Sequence, residues 1–131
     1  MASIVWDESY HVGIDEIDLQ HQRLFEILNE LQDCGFNRHE DCVNKAFDDL
    51  FAYVLVHFNT EEKIMKKLGY PALAAHESLH ADLKNRVLDY RQRLEAGEKI
   101  SIPEVVGFVL NWLTNHIKTQ DTPIGGYQKH A

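Results

Sequence analysis

The chain has 131 residues, the size of one ordinary domain, and its 44% hydrophobic and 26% charged composition argues against a disordered or low-complexity polypeptide. Asp and Glu outnumber Lys and Arg by 21 to 13, a formal charge of −8, which argues against nucleic acid, anionic membrane or polybasic-tail functions. The longest uncharged apolar run, Val105 to Ile117, falls short of the roughly 18–20 residues of a membrane span, so no membrane insertion is expected.

In chain order, residues 1–15 read as an extended arm carrying Trp6, Tyr10 and Gly13. The arm has no basic segment followed by an apolar one, so no secretory leader is expected. A first helix is expected over about 16–33, with Gly35 just past its end as a stop signal. A second runs over about 39–68 and stops at Gly69 and Pro71. A third covers about 71–96, with Pro71 in its first turn. A fourth covers about 102–118, opened by the capping-box spacing Ser101-Ile-Pro-Glu104. The tail, 119–131, holds Pro123, Gly125 and Gly126 and is expected to be irregular. Cys34 and Cys42 form no disulfide framework and no Cys-x-x-Cys pair, so two reduced thiols and a cytoplasmic location are the default.

Periodicity carries the fold. The inward positions are Ile17, His21, Leu24, Leu28 and Leu31; then Phe47, Leu50, Val54, His57, Glu61, Ile64 and Leu68. They continue as Leu73, His76, His80, Leu83, Val87, Tyr90 and Leu94, and finally Ile102, Val106, Val109, Leu113 and His116. Steps of three and four form a seam facing a bundle core. Short connections make neighbours antiparallel, which predicts an all-α, up-down-up-down four-helix bundle, one domain over 1–131.

Eight histidines are an unusual number, and five of them sit on that seam with one glutamate: His21, His57, Glu61, His76, His80 and His116. A single inward histidine is ordinarily a hydrogen-bonded core residue. Six uncompensated polar groups would cost roughly 6–18 kcal/mol at about 1–3 kcal/mol each, against a domain stability of about 5–15 kcal/mol. Something must satisfy them together. Alternating chain direction places all six toward one end of the bundle, within roughly 15 Å along its axis, where bundles build metal and cofactor sites. His11, His39 and His130 fall outside the pattern and read as surface residues. Asp121 is five residues beyond His116, off its face on a straight helix. Spacing leaves open whether it is a solvated tail acid or turns back over the site.

The set His21-Gln-x-Leu24, His57-Phe-x-x-Glu61-Glu62, His76-x-x-x-His80 and His116-x-x-x-x-Asp121 resembles the hemerythrins, in particular the single-domain bacteriohemerythrins, over nearly the whole chain. The resemblance implies a non-haem centre of two Fe ions with an oxo or hydroxo bridge, binding O2 reversibly. By carry-over its ligands are His21, His57, Glu61, His76, His80, His116 and Asp121, with Glu61 and Asp121 bridging. Three histidines on one iron and two on the other leave a single vacancy for O2. Imidazole with carboxylate suits iron better than calcium or magnesium. Leu24, Phe58, Trp112, Leu113 and Ile117 are the candidates for a dry O2 pocket, although ordinary bundle core accounts for them equally. The implied protein is an O2 carrier rather than an enzyme, expected as a monomer, for storage or for delivery to an O2-consuming enzyme. O2 or NO sensing and iron handling would use the same site.

Two rivals are weaker. His76-Glu77-Ser-Leu-His80 matches the zinc-protease pattern His-Glu-x-x-His, but Glu77 falls off the inward seam and three further histidines stay unexplained. A ferritin-like oxidase would need four inward carboxylates and paired Glu-x-x-His motifs. Here Glu77-x-x-His80 lies in a helix, but Glu8-x-x-His11 lies in the arm.

Overall fold

A computed structural model describes residues 4–37 and 40–130. Its elements are a 3-10 turn (Glu8–Tyr10), α1 (Asp15–Asn37), α2 (Glu40–Leu68), α3 (Leu73–Glu95), α4 (Ile102–His116), a π-helical turn (Ile117–Asp121) and α5 (Thr122–Lys129). No strand occurs among the described residues. α1 packs on α2 and α4, and α2 packs on α3.

Cross-helix contacts fix the directions. Gln20, early in α1, bonds Thr60, late in α2. Asp48, early in α2, accepts from Arg91, late in α3. Gly35, late in α1, lies against Ile102 at the start of α4. Each pair is therefore antiparallel, the geometry of an up-down-up-down bundle. The seam residues Leu24, Leu28, Leu31, Phe47, Leu50, Val54, Leu83, Val87, Val106, Val109 and Leu113 are all buried. In α2 the seam shifts at its end, where Met65 is buried and Ile64 and Leu68 are only partly so.

Several local expectations need correction. Gly35 does not stop α1, which continues to Asn37. A Cβ at Gly35 would lie 2.5 Å from Ile102 Cγ2, so glycine is there to let α1 and α4 approach. Nor is the tail irregular. Pro123 sits in the first turn of α5, where proline needs no hydrogen-bonded N–H, and Gly125 is buried against the Val12 carbonyl of the arm. Cys34 and Cys42 are not free thiols but a disulfide, with Cα atoms 5.5 Å apart. The reversal between α1 and α2 faces their last and first turns toward each other at a bridging distance. The cytoplasmic expectation loses that support.

The arm is strapped onto the bundle. The Ile4 N–H donates to Asn29 Oδ1 (2.7 Å) and Asn29 Nδ2 returns a bond to the Ile4 carbonyl (2.6 Å). Nearer α1, the buried Asp18 accepts from the Val12 and Gly13 N–H groups at 2.8 and 3.1 Å. Gly13 takes φ +98° at this corner, a left-handed conformation natural to glycine. Ser101 caps α4 by accepting from the Glu104 N–H. No described helix is long and apolar enough to cross a membrane.

Candidate metal centre

The seven expected donors meet at one end of the bundle, and all seven are buried. α1 supplies His21, α2 supplies His57 and Glu61 one turn apart, α3 supplies His76 and His80 one turn apart, and α4 supplies His116. Asp121 arrives by a device periodicity did not foresee. Five residues beyond His116, it would stand about 140° around a straight α-helix. The π turn absorbs the difference: the Thr122 N–H donates to the Ile117 carbonyl five residues back, which returns residues five apart toward one face.

The two carboxylates each look both ways. Glu61 Oε2 lies 3.1 Å from His21 Nε2 and 2.8 Å from His57 Nε2, while its Oε1 lies 3.3 Å from His76 Nε2 and 3.1 Å from His80 Nε2. Asp121 Oδ2 lies 3.0 Å from His21, and Oδ1 lies 3.0 Å from His76 and 3.2 Å from His116. The donors thus fall into two sets with metal-ligand spacing, His76, His80 and His116 against His21 and His57, sharing Glu61 and Asp121. Glu77 of the zinc-protease pattern belongs to neither set.

The proton positions show what the cluster lacks. His80 Nδ1 meets Glu62 Oε2 at 2.8 Å, and a carboxylate accepts, so Nδ1 carries the hydrogen. His57 Nδ1 meets Gln20 Oε1 at 2.8 Å. The amide orientation is fixed by Thr60, whose hydroxyl donates to the Val56 carbonyl and must accept from Gln20 Nε2. With the hydrogen on Nδ1, the Nε2 atoms of His57 and His80 point their lone pairs at Glu61 oxygens. Neither Nε2 has a hydrogen-bond partner, and neither has either oxygen of Asp121. Acceptor faces acceptor at about 3 Å in a dry core, an arrangement that a cation between them relieves.

Protons show the same demand. Burial pushes the His21 imidazole down, but hydrogen bonds and charge from Asp121 and Glu61 outweigh it and raise it to about 9. His76 is raised to about 9 by the same balance. Burial alone would raise Glu61, yet the bonds from His21 and His76 hold it well below the usual carboxylate range. Asp121 is pushed up by burial and by Glu61, but the imidazoles of His116, His21 and His76 beside it pull it below that range too.

Aromatic rings wall the cluster. Phe58 stacks on His80 at 3.7 Å and Trp112 on His116 at 4.4 Å. Leu24, Leu113 and Ile117 are buried in the same core. His11 is exposed and pairs with Asp18, and His130 is exposed. His39 lies outside the described residues. Sequence reasoning missed Gln20 and Glu62 as partners of the histidines. Both adjoin a seam donor in the chain, which is the only signal that pointed to them.

The family model for the hemerythrin HHE cation binding domain matches residues 12–125. The chain is 40% identical over 121 residues to a bacteriohemerythrin of Stenotrophomonas maltophilia, covering 92% of this chain and 78% of that one. It is 36% identical over 131 residues to one of Pseudomonas aeruginosa, covering 100% and 85%. A crystal structure of wild-type hemerythrin superposes with a TM-score of 0.91 at 32% identity, covering 95% of this chain and 97% of that chain. Bundle order, shared carboxylates and these likenesses agree, and the chain belongs to the hemerythrin family.

Proposed function

We propose that residues 1–131 act as one domain that binds O2 reversibly at a pair of non-haem irons joined by an oxo or hydroxo bridge. The observation that carries this reading is the convergence of five imidazoles on two carboxylates in a dry core, with the Nε2 atoms of His57 and His80 and both oxygens of Asp121 left without hydrogen-bond partners. His76, His80 and His116 would hold one iron, His21 and His57 the other, and Glu61 and Asp121 would span both. The set with two histidines has one protein donor fewer, so an iron held there would keep a position open to O2. When bound, the iron pair supplies the electrons that capture O2 and take them back on release.

The chain's own residues supply the rest. Glu61 and Asp121 set the separation of the two halves, and the rigid helices hold the imidazoles in place before metal arrives. Leu24, Phe58, Trp112, Leu113 and Ile117 would exclude water and so slow autoxidation of the iron pair. All seven donors come from one chain, so a monomer suffices. Storage, or delivery to an O2-consuming enzyme, is the role this site fits. The test is to load the protein with ferrous iron, admit air and then withdraw O2. We expect two irons per chain and a visible charge-transfer band that rises and vanishes over repeated cycles. Irreversible bleaching, or a single zinc in place of iron, would overturn the proposal.

A further inference from the structure

We propose that Glu62 and Gln20 are positioning residues that give the two halves of the centre unequal donor strength, with a carboxylate behind His80 and an amide behind His57. The inference rests on the di-iron reading. The two contacts are matched in geometry: each is made by Nδ1, each is 2.8 Å, and each links neighbouring helices, α2 to α3 and α1 to α2. They differ in charge. A carboxylate acceptor draws the Nδ1 hydrogen toward itself and leaves Nε2 richer in electrons; a neutral amide does so weakly. His80 belongs to the set with three histidines and His57 to the set with two.

Each partner also fixes a tautomer. Without an acceptor at Nδ1, the hydrogen is free to move to Nε2 and cap the atom that faces the metal position. Glu62 reaches His80 while its own side chain stays 18% exposed, so its carboxylate sits at the edge of the dry interior rather than within it. Gln20 is held by Thr60, itself tied to the Val56 carbonyl, a relay that fixes an amide oxygen and brings no charge near the iron with the open position. Electron donation would thereby be concentrated on the half with three histidines, which would favour the oxidised pair and leave the half with two histidines easily reduced again.

Four variants test this. Glu62→Gln keeps an acceptor and removes the charge: iron affinity, measured by chelator competition, should stay near wild type, while O2 release becomes a few-fold faster and the charge-transfer band shifts. Glu62→Ala should lower iron affinity by about 10- to 100-fold. In the metal-free protein, nitrogen NMR should show His80 losing its single Nδ1–H tautomer. Gln20→Glu should slow O2 release, and the double variant Glu62→Gln/Gln20→Glu should return it toward wild type. If Glu62→Gln and Gln20→Glu both match wild type in O2 release and band position, the inference fails while the di-iron reading stands. If wild type itself binds no pair of irons, both fail.

Discussion

Leu113 stands one turn before His116 and is almost fully buried, at 2% exposure. Phe58 and Trp112 lie flat against His80 and His116, and Leu113 fills part of the same buried core. Leu113→Ala would remove that filling without touching a donor. Deleting a buried leucine costs roughly 2–5 kcal/mol, which a domain of this size survives. The expected protein folds, unfolds at lower denaturant, keeps its two irons and loses its O2 band faster in air. Iron content, a denaturation midpoint and the decay rate of the band measure the three effects separately. An unchanged decay rate would remove Leu113 from the pocket and leave it a core residue.

At the scale of elements, the α4–π turn–α5 segment decides whether the centre closes. Asp121 is brought to His116 by the π turn, and that turn is held in place by α5 docking on the arm. Gly125, one turn beyond Asp121, has the Val12 carbonyl where a Cβ would be, and Val12 is anchored through its N–H to Asp18. Gly125→Ala would therefore force arm and α5 apart, costing about 1–3 kcal/mol as an overpacking change. It should lower iron retention together with melting temperature, whereas Gly126→Ala, with open space at its Cβ, should change neither. Helix-period burial, and with it six donors on one seam, is a local repeat that a sequence displays directly. Asp121 was recoverable only through family likeness, because a one-residue expansion of a helix leaves no periodic trace. Gly35 read as a stop signal and Pro123 as a mark of irregular chain because each residue has two uses, and only the packing around it selects between them. Pairing of Cys34 with Cys42 depended on the angle of a chain reversal, to which composition is blind.

Across the whole molecule, protons and metal compete for one buried cluster, and this sets the pH dependence. In the metal-free protein His21 and His76 rise from an ordinary 6.5 to about 9, so the folded state holds protons that the unfolded chain releases. Their contribution to stability is complete below about 6.5 and is lost as pH climbs through 9. Glu61 and Asp121 are depressed, so their contribution is present above the ordinary carboxylate range and is lost only in strong acid. The metal-free protein should accordingly be most stable near pH 5–6.5 and weaken steadily from there to pH 9. Metal reverses the trend, since ions displace those protons and bind more tightly as pH rises. Melting curves of the metal-free and iron-loaded forms should therefore diverge between pH 6 and pH 9, with the loaded form holding its midpoint while the metal-free form falls. Removing iron with a chelator at pH 8.5 should cost more stability than at pH 6. Parallel curves over that range would mean that the imidazoles do not exchange protons for metal, and the cluster would have to be explained as a self-contained network of ion pairs.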